Sequence, residues 1–332
     1  MRLEVDHNAC PPTIIKPVIM WLLFFCALPV SSGVLALAQV AGVSIEPHAS
    51  KPVAIRVNSD LVEIPVTVLD RNGESIVGLE KERFRLFEDG SEQVITHFAM
   101  EDAPISIGFV LDASASMHDK LRQSSEAVAA FLNTANLGDE FFLVQFNERA
   151  ELATDLTQST GEVQKQLAHI RPSGRTALLD AVHFSIRRMQ KANNARKALI
   201  IISDGGDNCS RYTLGELKNL VREADIQIYA MGMFDRWETR WQTREELDGP
   251  SLLRGVTKQS GGRLFEIEDV NQLPEVASKI AEALRAQYVL GYAPKSMSRN
   301  GKYHRVEVKL VQPKRSQKLQ ASWRRGYYAP VE

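Results

Sequence analysis

The chain has 332 residues, 44% of them apolar and 24% charged, with a formal net charge of −1. That length leaves room for about two domains, each with enough core to fold unaided. A net charge so near zero excludes strong whole-molecule attraction to nucleic acid or to a membrane surface.

Charge is nonetheless uneven, because Lys295 to Arg325 holds ten Lys or Arg against the single Glu307. The simplest reading of this basic tail is the solvated face of edge strands, where Lys discourages aggregation. An envelope polyanion is the alternative partner for it.

Taken in chain order, the first segment does not read as fold. Val18 to Leu28 is an apolar run, and Ala36-Leu37-Ala38 follows as a small-residue cleavage pattern. Residues 1–38 are therefore expected to be a signal peptide cut near Ala38–Gln39, giving an exported, periplasmic or secreted chain. The rival is an uncleaved membrane anchor, for which the run is short of the ~20 residues a span requires. Cys10 and Cys26 leave with this segment. Cys209 then stands alone, and the mature chain has no internal disulfide.

Residues 39–51 read as a lead-in and 52–103 as a small β module. Val62, Ile64, Val66 and Val68 alternate with polar residues or proline, the pattern of a half-buried strand. Pro65 places that strand at a sheet edge. Asp70-Arg-Asn72-Gly73 and Glu88-Asp89-Gly90 are hairpin turns, and Val94–Phe98 is a further strand. About 50 residues hold too little core to stand alone, so this module is expected to pack on something.

From Ile105 the period changes. Strands at Ile105–Leu111, Glu140–Phe146, Ala198–Ile202, Ile226–Met231 and Arg263–Ile267 alternate with helical stretches. The helices are expected at Lys120–Thr134, Glu162–Ile170, Leu178–Lys191, Leu214–Glu223, Ser251–Thr257 and Gln272–Arg285, with a short antiparallel edge strand at Ala150–Leu156. This alternation predicts an α/β fold over residues 104–286, a doubly wound, Rossmann-like, mostly parallel sheet. After Arg285 the period returns to two, with strands expected at Gln287–Tyr292, Val306–Leu310 and Leu319–Trp323 and a turn at Asn300-Gly301. A single β-sandwich built from both ends of the chain, 52–103 and 287–332, is the economical expectation.

The chemistry concentrates where the first buried strand stops. Ile105-Ser-Ile-Gly-Phe-Val-Leu runs into Asp112-Ala-Ser114-Ala-Ser116. Three oxygen side chains in five residues cannot continue a doubly buried strand, so the chain must turn at Asp112, at the carboxyl edge where open α/β sheets bind ligands. One carboxylate beside two hydroxyls suits a hard, oxygen-loving dication, Mg²⁺ best. It suits phosphate less well, because no Gly-rich cradle or P-loop Lys follows. Thr176, in the loop before the Leu178 helix, and Asp204, at the end of the Ala198–Ile202 strand, fall on the same edge.

Asp112-x-Ser114-x-Ser116, the distant Thr176 and Ser203-Asp204-Gly205 resemble the metal-ion-dependent adhesion site of von Willebrand factor type A domains. The flanking β parts are similar to exported bacterial proteins, of an acidobacterial type, that carry this domain. The resemblance implies that Asp112, Ser114, Ser116, Thr176 and Asp204 hold the metal, with Mn²⁺ or Ca²⁺ as substitutes for Mg²⁺. Ser114 and Ser116 would bind directly, and Thr176 and the aspartates directly or through water. It also implies a non-enzymatic adhesion module whose protein partner completes the metal shell with an acidic side chain. Arg175, beside the loop, would bias the ligand's charge.

Two other readings compete. One is a metal-assisted hydrolase, against which the chain has no Gly-x-Ser-x-Gly elbow and no His in a plausible triad. The other is a structural envelope protein whose metal only stabilises the fold. Asp180 reads as a first-turn helix carboxylate, Asp207 as loop, His118 as a surface residue, and Asn147 as a reach toward a metal-bound water. Cys209 reads as an inert neighbour of the site.

Overall fold

The structure is a computed structural model that describes residues 61–100, 102–234, 244–294, 301–311 and 318–330. The expected signal segment 1–38, the lead-in 39–51 and Asn300 of the expected turn lie outside the described residues, as does part of the basic tail. Among the described residues no helix is long and apolar enough to cross a membrane.

The centre is a six-stranded sheet. Its strands are β5 (Ile105–Asp112), β6 (Glu140–Phe146), β7 (Ala150–Thr157), β8 (Arg196–Ser203), β9 (Gln227–Met233) and β10 (Leu264–Ile267). They lie in the order β10-β9-β8-β5-β6-β7. All neighbours are parallel except β7, which runs antiparallel to β6 at the edge, as its alternation predicted.

Every residue of β5 is buried, as a strand covered on both faces requires. Ile107, Phe109 and Leu111 point into one apolar layer with α1 (Leu121–Leu132), α2 (Thr160–Leu167) and α6 (Leu273–Arg285). Val110 points into the other, with α3 (Leu178–Met189), α4 (Leu214–Glu223) and α5 (Arg244–Ser260). One helical face of α3 is buried throughout, at Leu178, Val182, Ser185 and Met189. β5 is first in the chain yet central in the sheet. The chain moves outward through β6 and β7, then crosses back to β8. The strand order therefore reverses between β5 and β8, and the carboxyl ends of that pair are where open α/β sheets bind ligands.

Both ends of the chain build two further antiparallel sheets. One is ordered β13-β1-β11-β4 and the other β14-β12-β2-β3. The chain before β5 gives β1 (Val62–Leu69), β2 (Phe84–Glu88), β3 (Ser91–Gln93) and β4 (His97–Met100). The chain after α6 gives β11 (Tyr288–Tyr292), β12 (Tyr303–Leu310), β13 (Gln320–Trp323) and β14 (Gly326–Tyr328). Their inner faces share one core of Ile64, Val66, Val68, Leu86, Leu290, Val308, Trp323 and their neighbours. The expected sandwich from both ends is thus present. At the Asp89-Gly90 turn, φ is 46° and 83°, the doubly positive geometry of a tight two-residue hairpin.

Three expectations need correction. β1 is not an edge strand: β11 flanks it on one side and β13 on the other. The proline is accommodated because β13 pairs only with Val66–Leu69, so at Pro65 the strand has β11 alone as a partner. The strand expected at Val94–Phe98 is displaced to β4, since β3 ends at Gln93 and pairing resumes at His97. The helix expected at Ser251–Thr257 runs from Arg244 to Ser260, with Pro250 inside it. Proline usually breaks a helix, yet α5 continues through Pro250, and the preceding Gly249 packs closely on the loop after β8. A Cβ built on Gly249 would lie 2.8 Å from the Gly205 carbonyl carbon.

Candidate metal site

β5 brings Asp112 to the carboxyl edge with no exposed surface. Beyond it the chain turns at once, because Asp112 Oδ1 accepts the Ser114 N–H at 2.9 Å. A short 3-10 turn, Ala115–Met117, then aims two hydroxyls back toward each other, with Ser114 Oγ 3.2 Å from Ser116 Oγ. Ser114 is buried and Ser116 is exposed, so the pair spans from the interior to the surface.

β8 ends beside this turn. Ser203 Oγ donates to Asp112 Oδ2 at 2.5 Å and accepts the Gly205 N–H at 2.9 Å. Gly205 takes φ of 84°, and a Cβ there would lie 3.0 Å from the Gly249 Cα, so the turn that follows Asp204 needs glycine on both counts. Asp204 is 9% exposed. Its Oδ1 accepts the Gly206 N–H at 3.4 Å, and its Oδ2 faces the Lys120 ammonium at 3.8 Å.

The third loop is tied to the first by backbone. Ser173 N–H donates to the Ala113 carbonyl at 2.8 Å, and Ala115 N–H to the Gly174 carbonyl at 3.1 Å. Thr176, 5% exposed, is gripped through its main chain. Its N–H donates to Asn208 Oδ1 at 3.0 Å, and its carbonyl accepts the Asn208 and Cys209 N–H groups at 3.0 and 3.2 Å. These bonds leave the Thr176 hydroxyl out. The three expected motifs therefore share one loop cluster: the first joined to β8 by the Ser203 bond to Asp112, and to the 173–176 loop by the two backbone bonds.

Electrostatics at this edge are unbalanced. Burial, first, and the nearby Asp204 carboxylate, second, push Asp112 from the usual 3.8 up to about 7. Hydrogen bonds from Ser114 and Ser203 oppose that rise without cancelling it. A dication would relieve the repulsion. The donor set fits one: two hydroxyls and two carboxylates are hard oxygen ligands. The two serine hydroxyls share a 3.2 Å hydrogen bond, which already holds both oxygens near the roughly 2.9 Å spacing of neighbouring ligands in an octahedral Mg²⁺ shell.

The nearby polar residues have structural partners. Ala177, the N-cap of α3, has no side-chain oxygen, and Asp207 supplies one, accepting the Leu178 N–H at 3.0 Å. Asp180 accepts the Arg211 and Tyr212 N–H groups at 2.8 and 3.1 Å, pinning the loop after β8 to the first turn of α3. Asn147 reaches Ser173 Oγ at 3.5 Å, and its carbonyl receives the Ala177 N–H at 2.7 Å. Arg175 donates to the Asn208 carbonyl, and His118 is exposed. Cys209 is half-buried, and burial pushes its thiol pKa up, away from the reactive thiolate.

Sequence reasoning passed over two residues. Ser203 was read as part of a motif, not as the hydroxyl that orients Asp112. Lys120, four residues past Ser116, was read as a helix start. Its signal was a lone cation directly after a run of oxygen side chains.

A family model described as the von Willebrand factor type A domain matches residues 107–206. Human inter-alpha-trypsin inhibitor heavy chain H2 is 26% identical over 150 residues, 40% of this chain and 16% of that protein. The Bos taurus heavy chain H4 is 24% identical over 246 residues, 67% of this chain and 26% of that protein. The chain thus spans a quarter or less of the length of the first heavy chains it matches.

Among solved structures, a von Willebrand factor type A protein from Catenulispora acidiphila aligns with a TM-score of 0.49 at 15% identity, over 83% of this chain and 75% of that one. The vWF domain of the type V pili tip protein Mfa5 from Porphyromonas gingivalis aligns at 0.43 and 13%, over 55% and 96%. The matched segment coincides with β5 through the loop after β8, the stretch that carries the first and last motifs. Residues 107–206 of the chain are thus similar to the von Willebrand factor type A domain.

Proposed function

We propose that this chain is a metal-ion-dependent adhesion module of the exported compartment. Asp112, Ser114, Ser116, Thr176 and Asp204 hold Mg²⁺, and a protein partner completes the shell with an acidic side chain. Domains of this type generally serve as protein-interaction or adhesion modules. The observation that carries the finer reading is a fully buried carboxylate facing a second carboxylate, beside two hydroxyls 3.2 Å apart. Burying two like charges is costly unless a cation sits with them.

Each residue has a distinct task in this reading. Both Asp112 oxygens already accept hydrogen bonds, from Ser114 N–H and Ser203 Oγ–H, which suits a role through water. Ser114 and Ser116 would be direct ligands. Mg²⁺ would supply an electrophilic position held by exchangeable water. With so few carboxylates bonded directly, net positive charge remains there for an incoming carboxylate. Exposed Arg171 and Arg175 lie on the loop of Thr176 and favour an acidic partner by long-range attraction, with Glu148 beside Gly174 as a partial offset.

The test is capture of envelope proteins on the immobilised chain, with and without EDTA. The proposal expects a bound protein that EDTA releases, that excess Mg²⁺ restores, and that Asp204→Ala fails to retain. Binding indifferent to chelation would contradict it.

A further inference from the structure

We infer that Lys120 is a tethered counter-ion of this site: its ammonium, 3.8 Å from Asp204 Oδ2, competes with a dication for that carboxylate and so raises the ion concentration needed for loading. The inference rests on the metal-site reading above and adds a control on its occupancy.

The placement is built into the fold. Lys120 follows the Ala115–Met117 turn and stands at the start of α1. Its backbone is fixed on both sides: its N–H donates to the Met117 carbonyl at 3.0 Å, and its carbonyl accepts the Ser124 N–H at 3.0 Å and the Ser124 hydroxyl at 2.9 Å. Ser124 has no exposed surface, so this anchor lies inside the protein. From there the Lys120 stem reaches Asp204, and its side chain is only 19% exposed.

The two aspartates therefore differ in kind. Asp112 is satisfied by neutral donors, Ser114 N–H and Ser203 Oγ–H, while Asp204 has a cation. A positive charge beside one carboxylate of a cation site repels a dication that uses the same carboxylate. With so little exposure, water screens that repulsion only in part. Lys120 also offsets the repulsion between the two carboxylates when no ion is present, which keeps the loops together before loading.

The experiment is isothermal titration of the full chain with MgCl₂ at about pH 8, where free carboxylates are ionised, joined to thermal melting in EDTA. Lys120→Met keeps most of the apolar stem and deletes the charge. It should bind Mg²⁺ roughly tenfold more tightly, about 1.4 kcal/mol. It should also melt lower than wild type in EDTA and recover at saturating Mg²⁺. Lys120→Arg should match wild type, and Lys120→Gln carries the same expectation as Met should Met not fold. Equal or weaker Mg²⁺ binding by the charge-deleted variants, with wild type binding normally, overturns this inference alone. Absence of Mg²⁺ uptake by wild type overturns the metal site itself and this inference with it.

Discussion

At the seam between the sandwich and the α/β sheet, Gln287 donates to Gln227 Oε1 at 2.5 Å and to Thr67 Oγ1 at 3.2 Å, and Thr67 Oγ1 lies 3.4 Å from the Tyr229 hydroxyl. At the carboxyl edge of the sheet, the buried Asp112 feels the charge of Asp204 and accepts hydrogen bonds from Ser203 Oγ and the Ser114 N–H. Both regions bury polar side chains. The seam does so with amides and hydroxyls that bond to one another and to the Arg196 guanidinium, which donates to Gln287 Oε1 at 3.4 Å, an arrangement that fastens two parts. The edge does so with two carboxylates whose repulsion the Lys120 ammonium, 3.8 Å from Asp204, offsets only in part, and a dication would relieve the rest. Buried polar groups satisfied among themselves are architecture. Buried charges left in surplus are a site.

The comparison breaks most severely if the seam and its sandwich prove dispensable. Removing residues 303–332 deletes β12, β13 and β14, and exposes the inner faces of β1 and β2 at Val66, Val68, Phe84 and Leu86. Single large-to-small changes in such a core cost about 2–5 kcal/mol. Loss of three strands should therefore abolish cooperative folding of the sandwich, seen as lost protection of Ile64–Val68 amides in hydrogen exchange. Full retention of that protection would mean that the two chain ends fold independently.

The next effect is pH-dependent and is read as the difference between wild type and Asp112→Asn, because Glu140 and Asp89, held below the usual carboxylate range by their hydrogen bonds, act in the opposite direction. Asp112 is raised in the folded chain from 3.8 to about 7. Its protonated form is thus favoured by folding, and that contribution is present below about pH 4 and lost as pH rises through about 7. Three units correspond to at most about 4 kcal/mol. In EDTA, wild type should lose denaturant stability relative to Asp112→Asn across this window. Mg²⁺ affinity should rise across the same window, because the proton must leave before the ion can bind. A flat profile in both would remove the charge surplus from the account.

Asp112→Asn gives the smallest of the three effects. It keeps an acceptor for Ser114 N–H and deletes the charge. In EDTA the variant should melt no lower than wild type. It should lose the stabilisation that Mg²⁺ gives the wild type, about 2.7 kcal/mol at a hundredfold excess over Kd. A large loss of stability in EDTA would instead assign Asp112 to the architecture.

How far the sequence foretold this follows from the kind of signal each part carries. α4 begins and ends where expected because Thr213 and Glu216 form a capping box, a local device written in adjacent residues. β5 and its abrupt polar end were legible because burial on both faces leaves an unbroken apolar run. The central place of β1 was not, since Pro65 marks an edge only if both sides are paired along its whole length, and β13 stops short of it. The roles of Ser203 and Lys120 depend on which loop meets which, with 91 residues separating Ser203 from Asp112. No periodicity encodes such a meeting. The three motifs could be proposed as one site because parallel strands send all their ends to one edge, a rule of topology that needs no side-chain detail.

The most direct trial of the central claim is the position of an ion. Crystals grown or soaked with Mn²⁺ and measured at its absorption edge should give a single strong anomalous peak at the carboxyl edge. That peak should lie within about 2.0–2.6 Å of both Ser114 Oγ and Ser116 Oγ, the range for hard cations, with Asp112 and Asp204 directly or through water in the same shell. A peak elsewhere on the chain, or none here at saturating Mn²⁺, would contradict the account.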